Sequence, residues 1–237
     1  KLRNNTFISF LVDFMCIAKE YRKKKIAEEM IQTHLFNQVK KQPNIITCFF
    51  KRETDLTLIV PSVIYNTYCF DLTKWDLKKI HAKYNILKIT PKTFDLFYHF
   101  LSTVSSRYLL FACPTYSNLI NLVKSNNYII YVILLENEVI SCYIFKHAAT
   151  VYNEKESVIC ISSIKGNCDE EIFKFGFSHV LSLLEYPILV LEDLADNGLI
   201  IKSVLEKHTS MFISPAAYYF HNYADRPVKK EQTCLLI

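Results

Sequence analysis

The sequence has 237 residues, 51% of them hydrophobic, with 28 Lys and Arg against 23 Asp and Glu and a formal net charge of +5. That length suits one large domain or two small ones, and so modest a positive charge does not by itself argue for nucleic acid. No run of about 18 apolar residues suggests a transmembrane helix, and no secretory signal is visible before the polar Arg3–Thr6.

In chain order, residues 6–17 read as a strand, 22–41 as a helix with Ile26, Met30 or Ile31, Leu35 and Val39 at helical spacing, and Asn44–Phe50 as a second strand. Pro61 and the polar-aromatic run Tyr65–Phe70 suggest a short helical or irregular connection, followed by Leu72–Ala82. Ile86–Thr90 is a short strand, Pro91–Val104 a helix with Phe94, Phe97, Tyr98 and Leu101 on its apolar face, and Tyr116–Ser125 a second helix. Tyr128–Leu135 and Val139–Phe145 flank Glu136-Asn-Glu138 as a hairpin. Then come a strand at Ser157–Ile164, a helix at Asp169–Glu185, a buried strand at Ile188–Leu191, a helix at Asn197–Lys207 and a last strand at Ala217–Tyr223. Alternating strands and helices indicate an α/β (α+β) sheet layered by helices.

Eight cysteines lack any Cys-x-x-Cys or paired-His spacing, which argues against zinc and gives no metal ligands. The apolar neighbours of Cys16, Cys48, Cys142 and Cys160 read as buried, reduced thiols of a cytoplasmic protein. Only three glycines occur, so a Gly-rich phosphate cradle is excluded, and few places exist where a positive φ is cheap. Any phosphate site must use a helix N-terminus and side-chain cations. Residues 10–31, FLVDFMCIAKEYRKKKIAEEMI, offer both: an apolar run, then Arg22, Lys23, Lys24 and Lys25 on or just before the first helical turn. Cations there oppose the helix dipole, at roughly 0.3–1 kcal/mol each, unless an anion binds. Two readings fit: a solvated helix start, or a phosphate or pyrophosphate site delivered by a strand into a helix.

The same residues resemble the acetyltransferase-like (GNAT) superfamily, whose pyrophosphate loop reads Arg or Gln, two residues, Gly, one residue, Gly or Ala. Here it is Arg22-Lys-Lys-Lys25-Ile-Ala27, with Lys25 where Gly is usual. Within that superfamily the chain is most similar to eukaryotic N-myristoyltransferases, whose segment I-N-F-L-C-V-H-K-K-L-R-S-K-R-[LV]-A aligns without a gap to Val12–Ala27. Weaker patches continue the likeness: Leu58-Ile-Val-Pro61, Val190-Leu-Glu-Asp193 through Asn197, Tyr218-Tyr-Phe-His-Asn222, and the apolar ending Cys234-Leu-Leu-Ile237.

The resemblance implies a GNAT-like mixed sheet flanked by helices, in a tandem repeat whose first copy is incomplete. Residues 1–85 would be the second half of an acyl-CoA-binding repeat and 86–237 a second, peptide-binding repeat; either the chain is a fragment, or a partner chain or missing segment fills the gap. It also implies transfer of a myristoyl group from acyl-CoA, a co-substrate rather than a permanent cofactor, to the N-terminal glycine of proteins. The backbone amides of Phe14 and Met15 would form the oxyanion hole, and the carboxylate of Ile237 would be the base. Cys16, Ile17, Lys19, Arg22, Lys23, Lys24, Lys25, Ile26 and Ala27 would hold the coenzyme; Asp13, Asp193 and Tyr218 would face the acceptor. An apolar tail that carries its own carboxylate into a low-dielectric site would raise that group's pKa and its basicity.

Three departures stand against this. Asp13 replaces the family's Asn, Met211-Phe-Ile-Ser-Pro215 replaces a Gly-Asp-Gly stretch, and Ile159-Cys-Ile-Ser-Ser163 lacks the tyrosines of the family strand. A pseudoenzyme that keeps the fold as a binding or scaffold subunit is the alternative; nucleic-acid binding through Lys19–Lys25 is a weaker one and is not expected.

Overall fold

The computed structural model describes residues 1–237 apart from Phe14, Thr54, Asp55, Thr57, Leu58 and Asn153. In chain order the elements are β1 (Phe10–Val12), α1 (Ile26–Lys41), β2 (Cys48–Glu53), β3 (Val63–Asp71), β4 (Asn85–Lys88), α2 (Phe94–Val104), β5 (Leu110–Ala112), α3 (Tyr116–Lys124), β6 (Tyr128–Leu135), β7 (Glu138–Tyr152), β8 (Lys155–Lys165), α4 (Glu170–Leu184), β9 (Ile188–Glu192), α5 (Asn197–Leu205), β10 (Phe212–His221) and β11 (Thr233–Leu235). Nine strands form one sheet in the order β1-β2-β10-β3-β9-β8-β7-β6-β4, and β11 pairs β5 in a separate ribbon. Because β10 lies between β2 and β3, strands from before and after residue 85 share one sheet.

Alternation along β7 assigns the two faces. Tyr143 and Phe145 join α4 and α5 through Phe173, Phe177, Val180, Leu181, Ile200 and Ile201. Cys142 and Ile144 join α2, α3 and the tail through Phe94, Phe97, Leu119, Val123, Cys234 and Leu236. Gly176 lets α4 lie close on the sheet, since a Cβ there would press on the side chains of Ile133 and Tyr143, which would have to shift.

The order of strands and helices follows the sequence reading, with four corrections. Residues 65–70 are not a connection but the middle of β3, whose alternating Val63, Tyr65, Thr67 and Cys69 are buried between β10 and β9. The first strand is only Phe10–Val12, and the helix begins at Ile26, so Arg22–Lys25 precede it. No residue of α1 is buried, and Met30, Ile31 and Phe36 of its expected apolar stripe and flank are exposed. Cys16 is exposed, whereas Cys48, Cys142 and Cys160 are buried as expected.

Scarcity of glycine leaves a mark on the backbone. Ten described non-glycine residues, Lys23, Lys25, Glu136 and Asn137 among them, have positive φ, and none of the glycines does. Glu136 (φ 51°) and Asn137 (φ 68°) close the β6–β7 hairpin, a tight turn whose primed geometry matches the strand twist. Left-handed backbone costs a side-chain-bearing residue roughly 1–2 kcal/mol. Lys25, at φ 62°, is therefore expected to yield a more stable protein when replaced by Gly than by Ala, by about 1 kcal/mol, in urea unfolding. Equal stability of the two variants would show that this residue carries no backbone strain.

Burial also pushes the thiols up, to about 11 for Cys69 and about 12 for Cys113 and Cys234. In the unfolded chain they ionise near pH 9, so above that pH the native state holds more protons and stability falls as pH rises. Urea midpoints between about pH 9 and 11 should fall, with a slope approaching about 1.4 kcal/mol per pH unit for each such thiol. Replacing Cys234 by Ala should flatten that slope; an unchanged slope would remove Cys234 from the account.

Candidate functional site at the split between β1 and β2

Two parallel pairs interrupt an otherwise antiparallel sheet, and each is bridged by a helix: β1-α1-β2 and β8-α4-β9. Both pairs separate. β1 and β2 stay in register only from Phe10–Val12 to Cys48–Phe50, after which β2 continues to Glu53 against β10 alone. β8 and β9 stay together over Ser157–Cys160, and β8 runs on to Lys165. A split sheet leaves backbone donors and acceptors that need other partners.

The split beside β8 is filled by the protein itself. Buried Asn197 donates to Glu192 O at 2.7 Å and to Cys160 O at 3.3 Å, and accepts from Ser163 Oγ at 2.5 Å. Ala195 N donates to Thr233 O at 2.8 Å and Asp196 N to Ser163 O at 3.2 Å, so the C-terminal tail is part of the filling. The α4 start is acidic, with Asp169 preceding Glu170 and Glu171.

The split beside β1 has a different chemistry. Asp13, Met15 and Cys16 are exposed, and the ladder with β2 takes none of the backbone N–H groups of residues 15–17. A single turn at Lys19–Tyr21 follows, and Arg22 Nε donates back to Ile17 O at 3.2 Å, holding the loop closed. Lys23 (φ 64°) and Lys25 (φ 62°) then bend the chain into α1, with Lys24 Nζ 5.3 Å from the Tyr21 ring. A groove of about 230 Å³ results, lined by Ile17, Tyr21, Lys23, Lys25, Ile26, Ala27 and Glu28. The first-turn N–H groups of α1 cannot be satisfied within the helix and are natural anion donors. Thus Ile17, Lys23, Lys25, Ile26 and Ala27 line one groove, and Lys19, Arg22 and Lys24 lie on the loop that shapes it. Tyr21 and Glu28 are additions that sequence reading missed. Lys25 occupies, in left-handed geometry, the position where the resembling family has Gly.

Asp13 and Ile237 are brought together from opposite ends of the chain. Lys146 Nζ donates to the main-chain oxygen of Ile237, the last residue of the sequence, at 3.4 Å and lies 4.0 Å from Asp13 Oδ2. The tail reaches this place because β11 pairs with β5 and because Cys234, Leu235 and Leu236 are buried. Tyr218 is buried, stacked on Phe49 at 4.9 Å. Burial, then the charges of Glu192 and Asp13, raise the Tyr218 hydroxyl well above its ordinary value, so it stays protonated. Lys51 pairs with Glu192 at 2.7 Å and Glu53 at 2.6 Å. Burial works against its charge, but the two carboxylates prevail and hold its pKa above the ordinary lysine value. Asp193 is also buried, with its carboxylate ion-paired to Lys230. Phe14 lies outside the described residues. Lys146 and Lys51 were not singled out in the sequence; they are strand residues without a motif, and only register brings them here, while Glu192 lay within the Val190–Asn197 patch without a role of its own. Cys113, before Pro114, carries a thiol held protonated by burial, which does not suit a nucleophile. Among the described residues no group of three or more His, Cys, Asp and Glu could hold a metal ion, and no helix is long and apolar enough to cross a membrane.

No family model matches the sequence, and no curated protein matches it. Solved structures match its fold. A structure of Saccharomyces cerevisiae N-myristoyltransferase with bound myristoyl-CoA superposes with a TM-score of 0.76 at 12% identity, over 97% of this chain and 62% of that one. A second structure of that enzyme with bound myristoyl-CoA gives 0.74 at 12% identity, over 96% and 65%. A GCN5-related N-acetyltransferase from Kribbella flavida gives 0.51 at 9% identity, over 89% and 51%. The chain thus spans less than two thirds of the length of the yeast enzyme. Its fold matches that of these N-myristoyltransferase and GCN5-related N-acetyltransferase structures, at 9% to 12% sequence identity.

Proposed function

We propose that this chain is an acyltransferase of the N-myristoyltransferase type, moving a myristoyl group from acyl-CoA to the N-terminal glycine of a protein. The observation that carries the reading is the convergence of Asp13 and Ile237 on Lys146, with a groove lined by Lys23 and Lys25 at the start of α1 further along the segment that carries Asp13. The fold likeness to an enzyme solved with myristoyl-CoA supports it.

The coenzyme's phosphates lie at the α1 start, against its first-turn N–H groups and Lys19, Arg22, Lys23, Lys24 and Lys25, with Cys16, Ile17, Ile26 and Ala27 beside them. The thioester carbonyl lies at residues 14–15, where the backbone N–H groups of Phe14 and Met15 stabilise the oxyanion. The acceptor amine attacks that carbon, forming C–N as C–S breaks, and coenzyme A leaves as the thiol. The ammonium proton passes to the Ile237 carboxylate. Asp13 and Tyr218 border the acceptor. Residues 1–85 belong, in this reading, to the coenzyme-binding repeat and 86–237 to the peptide-binding repeat.

A second reading, binding without transfer, is favoured by Asp193: its carboxylate, assigned to the acceptor by resemblance, is taken by Lys230.

Calorimetry with myristoyl-CoA and free CoA tests the first half of the proposal. Replacing Lys23, Lys24 and Lys25 together by Ala should weaken binding by roughly fivefold to 150-fold, from about 0.3–1 kcal/mol per lost charge at a helix start. Absence of binding to the unaltered chain would overturn the reading. One residue appended after Ile237 should leave myristoyl-CoA affinity intact and abolish transfer to a glycine peptide. Undiminished transfer would remove the tail's carboxylate from the chemistry, and no transfer by the unextended chain would favour the binding subunit.

A further inference from the structure

Lys146 sits on β7, paired in register with Tyr128 on β6 and Ile159 on β8, between two irregularities in the β7–β8 ladder. Alternation puts it on the same face as Cys142 and Ile144, which pack with Cys234 and Leu236 of the tail. Its side chain is only 17% exposed, and its Nζ donates to Ile237 O at 3.4 Å with Asp13 Oδ2 at 4.0 Å. A primary ammonium is therefore held between the two acceptors that, in the acyl-transfer reading on which this inference rests, an incoming amine would use. The substrate's own N-terminal ammonium is a primary amine of the same charge. It needs the same oxygen for its proton and gains from the same Asp13 charge. Both cannot sit there.

We propose that Lys146 is a built-in occupant of the acceptor-amine position, an autoinhibitory cation that an acceptor must displace before transfer. The cost to an acceptor is twofold. It must break a charge-assisted hydrogen bond to Ile237, and it must leave the Lys146 ammonium, already largely out of water, to find other partners. Only an acceptor that brings its own compensating interactions, such as an acidic side chain close behind its terminal glycine to pair with the displaced Lys146, enters readily. Acylation of Lys146 itself is the competing outcome: its nitrogen would attack the thioester carbon, C–S would break, and its proton would go to Ile237. A lysine ammonium gives up its proton less readily than an N-terminal one, which favours occupation over reaction.

The test compares the unaltered chain with Lys146→Met and Lys146→Gln, two neutral variants of differing polarity, and with Lys146→Arg, which keeps the charge. Each is assayed for myristoyl-CoA binding, for transfer to a glycine peptide with separate kcat and KM, and for mass after incubation with myristoyl-CoA. The neutral variants should bind myristoyl-CoA as the unaltered chain does and transfer with at least tenfold higher kcat/KM, chiefly through a lower peptide KM. Lys146→Arg should remain slow. A glycine peptide with acidic residues after the glycine should lose its advantage over a neutral one in the Met and Gln variants. Neutral variants that bind myristoyl-CoA but transfer no faster would overturn the proposal, as would an acyl adduct on Lys146 in the unaltered chain. Failure of every form to bind myristoyl-CoA would defeat the underlying acyl-transfer reading, and the proposal with it.

Discussion

A parallel strand pair that separates must find other partners for the backbone groups it releases, and this sheet contains two such pairs. Beside β8 the partners are internal. Asn197 bridges three strand and loop groups, and the tail supplies Thr233 O to Ala195 N. Filling that split requires the tail to be buried, and β11 must lie against β5 to be buried. The consequence reaches the other split: a tail fixed at Thr233–Leu235 sets its last residue beside Lys146 and Asp13. The need to satisfy the backbone in one half of the sheet thus positions the chemistry proposed for the other.

Both crossover helices carry two glutamates in their first turn, Glu28 and Glu29 in α1 and Glu170 and Glu171 in α4, and they differ in what precedes that turn and in what the helix buries. α4 starts on Asp169 with Glu170 and Glu171 in its first turn, which complements its own dipole and repels anions. It buries six residues from Phe173 to Leu184 against the sheet. α1 buries none, and its N-terminus is approached by Lys23, Lys24 and Lys25 through two left-handed residues. A helix stabilised mainly by packing has no need of strained cations at its start. The left-handed backbone at Lys23 and Lys25 is of the kind that proteins hold at ligand sites.

Much of this was legible in the sequence because it rests on local patterns. The hairpin from Tyr128 to Phe145 has long apolar runs and a two-residue turn, and α4 has an acidic start, a periodic apolar face and a Pro two residues after its left-handed Glu185. The basic loop at 19–25 was legible by charge against dipole. What escaped had no local signature. β3 alternates correctly, but its inward Tyr65 and Thr67 are polar enough to read as connection, and only pairing with β10 and β9 on both sides makes them core. β11 and β5 have three residues each, too few to show a period. Lys146 is one lysine at the end of an apolar strand; its meaning depends on a tail 91 positions away.

Asp13 and Lys146 explain one another. Read alone, Asp13 in place of the family's Asn puts a negative charge beside the proposed reaction centre, where it would repel an oxyanion and weaken the transfer. The structure supplies a cation for it, 4.0 Å away on β7, shared with the end of the tail. In the proposed acyl-transfer reading, an opposite charge that close offsets part of the field that Asp13 would impose on the thioester. Asp13 also changes what the acceptor meets. With Asn in that place Lys146 would still donate to Ile237 O; Asp adds a carboxylate 4.0 Å from the same ammonium. In that reading, the departure at position 13 bears on which acceptor amine can exchange partners with Lys146.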